Sequence, residues 1–375
     1  MFTTAQTFIL YNLLALGCPL LCFLSERKQS KWGIYIAYGI LLFFTVFRYD
    51  IGDDYVRYAS MFDHAAARDF ATLTVLDFLS EEPLVYVFSF LFQWSDYPFA
   101  WCMGVYAILT LFLYYKAFEY YKCHTIGTFL LCVTYVLFQA WDGVRQNLSI
   151  AVFFYCIRYI QERRFIPFLI GVVVGMLSHY SMFMVLPFYF LNRIKLLPVY
   201  VTLIVFGVFA LAEVGILANA LTKLVEHVPY YGQIYANTKY MQNGEGSYHS
   251  STYILTMLFY MAVLYMSKRE HSLYANILAV GAIIYAIAGG NFNIMRISWY
   301  FTPALMILIP KILNDAGSIN EYNKTFVRYI FLFLVLMALF EGVYLYANFR
   351  NVIPYETIFA DEFQHHVFRP RESGV

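Results

Sequence analysis

Trp32 to Tyr58 reads WGIYIAYGILLFFTVFRYDIGDDYVRY. An apolar run with the character of a membrane helix gives way to a dense cluster of charge and tyrosine, and apolar segments resume further along the chain. On insertion scales a carboxylate at the centre of a span costs about 2.5–3.5 kcal/mol. The eight acids between Asp50 and Glu82 therefore belong to an aqueous loop, and the run before them to a helix in the bilayer. That loop is the first place to look for a site.

Hydrophobic residues make up 61% of the 375 positions and charged residues 13%, against roughly 25% charged in a soluble domain. The chain reads as an all-α polytopic integral membrane protein. It is expected to form one membrane-embedded domain over residues 1–375, with outer loops near 48–96 and 219–251. At about 20 residues per span, apolar runs fall near residues 5–24, 32–47, 97–115, 125–140, 146–160, 198–218, 252–267, 273–290, 297–310 and 327–347. The first has no basic flank before it and no small-residue cleavage site, so it reads as a retained helix. Residues 165–191 as one helix would measure about 40 Å, too long for a core of roughly 30 Å. A short hairpin turning near His179 fits better and brings the total to about 12 transmembrane helices. The stretch 83–96 is short, opens with Pro83 and contains Trp94, which suits the interface rather than a span.

Basic residues orient the first half. Arg27, Lys28 and Lys31 lie on one side, and Lys116, Lys122, Arg158, Arg163 and Arg164 return to it as the helices alternate, so that side is expected to be cytoplasmic. The acidic loop and Trp141 to Gln146 then face outward. The hairpin also keeps Arg193, Lys195, Lys268, Arg269, Lys311, Lys324 and Arg328 inside, while Lys223, Lys239, Arg296, Arg350, Arg369 and Arg371 fall outside, so the basic residues orient the second half less clearly than the first. Six cysteines sit in or beside the expected helices, which argues against a disulfide framework. No zinc spacing, phosphate loop or G-x-S-x-G elbow occurs, and a net charge of +1 without a basic stripe excludes nucleic acid as a partner.

Four polar constellations remain. Arg48, Asp50, Asp53, Asp54, Tyr55, Arg57 and Tyr58 cluster around Gly52, whose freedom suits a tight turn. Carboxylates there can take a proton from a sugar hydroxyl or hold a divalent cation, so a metal stays open and no other cofactor is expected. Glu81 and Glu82 add acids to the same face. Arg145 and Gln146 stand where the fifth helix begins, and an arginine at that depth needs an anionic partner such as a lipid or substrate phosphate. His179 lies in an apolar setting, where a histidine more often packs than reacts. Arg296 and Tyr300 are expected one helical turn apart on one face. Two arginines, several carboxylates and a histidine at one membrane face suit a substrate carrying a lipid tail, a pyrophosphate and sugars.

In order along the chain, FRYDIGDDYVRY after the second span, EP at 82–83, VRQNLSIA in the fifth helix, SHYSM with a following LP, and MRISWY near the end resemble the EpsG-like branch of the Wzy-type polysaccharide polymerases. The resemblance implies a GT-C-like glycosyltransferase of the bacterial inner membrane. Such an enzyme joins repeat units carried on undecaprenyl pyrophosphate into O-antigen, capsule or exopolysaccharide, with membrane lipid, a chain-length regulator and a flippase as companion candidates. Matched by position, the resemblance points to Arg48, Gly52, Asp54, Tyr55, Tyr58, Glu82, Arg145, Gln146, His179 and Arg296, with Asp53 where the family pattern is looser. Its place in the densest acidic cluster makes Asp54 the leading catalytic candidate, with His179 and Glu82 behind it. Arg48, Asp53, Tyr55, Tyr58, Arg145, Gln146, Arg296 and Tyr300 are expected to bind substrate. The long outer loop with Tyr230, Tyr231, Tyr235, Tyr240 and Tyr248 matches no motif and is a candidate for contact with the particular glycan.

Two other classes compete. A flippase or other transporter of lipid-linked oligosaccharide would carry charge deep within several helices, and here only Glu213 and Glu341 are candidates. A membrane acyltransferase using His179 would need a second matching motif. The orientation is directly testable: a cysteine at Ala66 should react with an impermeant thiol reagent in intact cells. Labelling only after lysis would reverse the assignment.

Overall fold

A backbone in the bilayer must satisfy its own hydrogen bonds, which for a chain this apolar means helices. The computed structural model describes residues 2–194, 196–213, 251–288, 292–314, 319–346, 348 and 351–359. The expected outer loop at 219–251, with its tyrosines, lies outside them except for Ser251. Among the described residues three continuous helical stretches are long and apolar enough to cross a membrane alone: Thr4–Arg27, Pro98–Tyr121 and Ile294–Asn314. Shorter apolar helices of 10–17 residues accompany them.

Two compact units divide the chain, one of Met1–Leu186 with Phe340–Val375, the other of Pro187–Leu339. The first opens with α1 (Thr4–Asn12) and α2 (Cys18–Arg27), joined through a π turn at Leu13–Gly17. α3 (Trp32–Val46) packs on α2 and on α7 (Pro98–Tyr121). Between them stand α4 (Tyr55–Ala66), α5 (Val75–Ser80) and α6 (Pro83–Leu91). α6, at 9 residues, is about 13 Å long and far too short to span, in keeping with the interfacial reading of this stretch.

The expected single helix at 125–140 is two, α8 (His124–Val133) and α9 (Val136–Asp142), bent by 55°. The break is at Tyr135, which adopts a left-handed φ of 68°. Two aromatic stacks hold it there: ring centroids lie 4.6 Å from Tyr344 and 5.2 Å from Phe138. Periodicity alone could not find this break, because the residues around it are nearly all apolar. α10 (Val144–Gln161) follows, its Asn147 amide donating to the carbonyls of Gln139 at 2.7 Å and Gly143 at 3.0 Å, which closes the end of α9. α11 (Phe165–Ser178) stops at His179, and a 3-10 helix continues from Tyr180 to Arg193. A change from α- to 3-10 helix thus falls at His179, where the hairpin turn was expected.

The ends of these helices sort as alternation requires. Glu119 on α7 takes an ion pair from Lys31 at 2.9 Å and another from Lys116, and Tyr120 donates to Glu162 at 2.7 Å. The basic ends assigned to one side thus meet. At the opposite ends lie Thr45, Trp141, Arg145 and Ser178. There the acidic segment is not an open loop. α4 places Tyr55, Tyr58, Ala59 and Phe62 at helical spacing on one face and buries them against α6 and α7, in a cluster with Val85, Phe88, Phe99, Met103 and Tyr106.

The second unit contains α12 (Pro198–Glu213), α13 (Ser251–Met266), α14 (Ser272–Ala288), α15 (Phe292–Ser298), α16 (Leu305–Asn314) and α17 (Ile319–Leu339). α14 packs on α12, α13, α15 and α16. Its Gly281 gives room to Phe301, whose Cβ would stand 2.5 Å from an added methyl.

Because Phe62 is fully buried at the centre of the α4 seam, Phe62→Ala should lower stability by about 3–5 kcal/mol. The melting temperature of the detergent-solubilised protein checks this. An unchanged value would mean that α4 is not a packed element.

Candidate functional site

The turn that leads into α4 is built around Gly52. Its φ is +95°, and an added Cβ would stand 2.9 Å from the Cα of Asp142, so only glycine lets the turn lie against the α9–α10 joint. Asp142 is fully buried, and its Oδ1 accepts from the Asp54 backbone N–H at 3.1 Å. That bond supplies an acceptor for a backbone donor at the start of α4. Asp54 is the N-cap residue, half-exposed, one turn before Tyr58. Tyr55 is buried, its ring edge-on to Tyr49 and Phe99.

Arg48 is buried and directed inward. Its guanidinium donates to the carbonyls of Thr45 and, at 3.1 Å, of Trp141, while the Trp141 indole N–H donates to the Thr45 hydroxyl at 3.0 Å. These bonds tie the end of α3 to the end of α9. Sequence reasoning assigned Arg48 to substrate, but what these bonds describe is a structural staple.

A second cluster stands where α4, α6, α10 and α11 meet. Arg145, in the first turn of α10, pairs through Nη1 with Glu81 at 2.8 Å and with Glu82. The Tyr58 ring centroid lies 5.5 Å from its Cζ, in cation–π range. The Arg145 and Glu82 side chains are only 13% and 8% exposed. Such a pair is a commitment, since removing one partner of a buried ion pair costs about 3–5 kcal/mol. The Arg145 carbonyl accepts from the Ser178 hydroxyl at 2.8 Å, which fixes the end of α11 against α10. Arg145 Nε is buried with no hydrogen-bond partner among the described residues.

His179 follows directly, in extended backbone conformation at the end of α11. Its Nδ1 lies 2.7 Å from the Ser181 hydroxyl and accepts from the Ser181 backbone N–H at 3.3 Å. A neutral ring therefore carries its proton on Nε2, which is 4.0 Å from Glu82 Oε1. Structure thus joins Glu82, Arg145, His179 and Tyr58 from the expected residues, and adds Glu81, flagged in the sequence only weakly. Tyr106, buried on α7, stands beside Arg145 and Glu82; as one aromatic among many it gave no sequence signal. Gln146 is buried on α10.

Asp53 lies elsewhere, accepting from the Asn351 side chain. That contact belongs to a strap, residues 351–359, which nothing in the sequence pattern singled out. Backbone N–H groups of Gly52, Tyr49 and Ile358 donate to Asn351 at 3.3 Å, Glu356 at 2.9 Å and Phe47 at 3.0 Å, and Arg48 and Thr357 form an isolated antiparallel bridge. Tyr355 anchors the strap, its N–H donating to the Thr7 hydroxyl at 2.9 Å and its hydroxyl to the Phe44 carbonyl at 2.8 Å. Among the described residues no three His, Cys, Asp or Glu side chains come together as a metal-binding group.

In the second unit the expected helical face of Arg296 and Tyr300 does not form. α15 ends at Ser298, and N–H groups of Trp299, Tyr300 and Phe301 bond three residues back. The change from four-residue to three-residue spacing, ahead of Pro303, rotates Tyr300 off the Arg296 face. Tyr300 is fully buried, and the Trp299 ring centroid lies 5.8 Å from the Arg296 Cζ.

The turn geometry carries a direct test: Gly52→Ala should cost about 1–2 kcal/mol from the backbone alone, with the clash at Asp142 adding to it. A melting temperature equal to the parent's would contradict the close approach.

Against known families, the EpsG family matches residues 31–357 of this chain, from the start of α3 to the strap. No curated protein and no solved structure matches it.

Proposed function

We propose, from the premise that this chain belongs to the EpsG family, that it is a membrane-embedded polysaccharide polymerase. In this reading it spans the bacterial inner membrane about 12 times with a GT-C-like arrangement. At the outer face it transfers a growing glycan from undecaprenyl pyrophosphate onto a lipid-linked repeat unit. The observation that carries the reading is the Glu81–Glu82–Arg145–His179 cluster, in which a buried arginine is matched by carboxylates and retains an unpartnered Nε.

Arg145 then serves as the pyrophosphate clamp. A sugar hydroxyl of the acceptor attacks the anomeric carbon of the donor glycan, the bond from that carbon to the phosphate oxygen breaks, and the pyrophosphate leaves with both bonding electrons. Charge gathers on the leaving oxygens, and a preplaced guanidinium lowers the barrier by meeting it there. A phosphate exchanges one anion for another at Arg145, which frees Glu82 to take the proton from the attacking hydroxyl beside His179. The leaving phosphate oxygen and the attacking hydroxyl meet at the same anomeric carbon in this reaction, so a base next to the clamp is in the right place. Asp54, at the head of the helix that carries Tyr58, is the competing base. Arg296 keeps the substrate-binding role that its motif suggests.

The test uses purified variants in proteoliposomes supplied with lipid-linked repeat units. Arg145→Lys keeps the charge and loses the planar fork, so chain formation should fall about 10- to 100-fold, the worth of one or two charge-assisted hydrogen bonds. Glu82→Gln should bind repeat units and build no chains, whereas Asp54→Asn should elongate. Full-length polymer from Arg145→Lys would remove the clamp, and the reverse result for the two acid variants would move the base to Asp54.

A further inference from the structure

The second unit holds a cavity that the polymerisation chemistry leaves unused. It lies between the start of α12, the end of α13 and the first turns of α14, and has a volume of about 340 Å³, within the usual range of roughly 300–1,000 Å³ for small-molecule sites. Its cause is local. α14 presents Ser272, Ala275 and Ala279 toward Val201 and Leu264, and these small side chains leave the space between the helices unfilled. Asn276, buried on α14, keeps one wall in place: it accepts from the Leu196 N–H at 3.2 Å and donates to the carbonyls of Leu191 at 2.9 Å and Ile194 at 2.6 Å. The cavity is therefore held open by satisfied hydrogen bonds.

Two chemistries line it. Leu196, Leu197, Val201 and Leu264 make apolar walls, while Ser267, Lys268 and Arg269 stand at one end. Lys268 and Arg269 are exposed, so their charged heads sit at the mouth, where stems can lie on apolar surface and cations meet an anion. An apolar chamber with two cations at its mouth is complementary to an amphiphile that has a phosphate at the head of apolar chains. On the orientation given by the basic residues, this mouth opens to the cytoplasmic side, whose leaflet carries anionic lipid.

We propose that this cavity is a binding site for an anionic phospholipid of the cytoplasmic leaflet. The phosphate lies between Lys268 and Arg269, and the start of an acyl chain lies against Val201, Leu264 and Ala275. It is independent of the Arg145 cluster and of the polymerase reading.

Native mass spectrometry of the full chain released from nanodiscs tests this, with phosphatidylglycerol and phosphatidylcholine as probes. The parent should retain phosphatidylglycerol about 30-fold better, the contribution expected of two cations near a lipid surface. The double variant Lys268→Gln, Arg269→Gln should bring the ratio close to one. Ala275→Trp keeps both charges and fills the chamber, and should lose the retained lipid as well. If Ala275→Trp holds phosphatidylglycerol as the parent does, the attraction is surface charge only and the site is overturned. Displacement of the lipid by glycerol 3-phosphate at equal concentration would also overturn it, in favour of a small-anion site. Loss of chain formation is not part of this readout, so failure here leaves the proposed activity untouched.

Discussion

A guanidinium taken out of water forfeits several kcal/mol of solvation that only close, well-placed partners can return, and among the described residues of the first unit Arg48 and Arg145 are such cases. They are matched in different ways. Arg48 is directed at the carbonyls of Thr45 and Trp141, dipoles fixed in the backbone that no ligand can replace. Arg145 is directed at the carboxylates of Glu81 and Glu82, side-chain charges carried on the segment that leads into α6. Two arginines alike in sequence are thus separated by what their donors meet. One joins helix ends through backbone carbonyls, and the other joins them through an ion pair.

The scaffold that Arg48 holds is what makes the second cluster accurate. The Gly52 turn rests on Asp142, Asp142 accepts from the head of α4, and α4 carries Tyr58 to the Arg145 guanidinium. Asp142 and Arg145 are neighbours on the α9–α10 joint, so the turn, the helix start and the Arg145 ion pair are registered to one another within a few residues. The strap adds closure from the far end of the chain. Tyr355 binds Thr7 and Phe44, contacts that join residues more than three hundred positions apart and cover the same turn. Polar contacts of this kind are strong in an environment poor in competing water.

Much of this was legible in the sequence, and the reason for each success or failure is physical. The dense charge after the second span, the glycine in its midst, the arginine at the start of the fifth helix and the break at His179 all violate the apolar pattern, and violations are visible. The 55° break at Tyr135 was hidden because it occurs inside an apolar run and is held by ring stacking. The loss of the Arg296–Tyr300 face was hidden because helical spacing cannot announce a shift to three-residue bonds. The strap was hidden because its backbone pairs with residues near the other terminus, which no local pattern encodes.

By itself, then, the sequence determined the class of solvent, the helical backbone and the short set of polar residues that had to find partners. Hydropathy and desolvation cost act residue by residue, so they can be read from a string. Tertiary structure alone decided which polar residues are partners: that Arg48 spends its donors on carbonyls while Arg145 faces carboxylates, that Asp142 rather than Asp54 sits at the buried centre of the turn, and that Lys268 and Arg269 stand at the mouth of a chamber. Pairing depends on distances between helices, and those distances are set by how side chains pack across elements far apart in the chain.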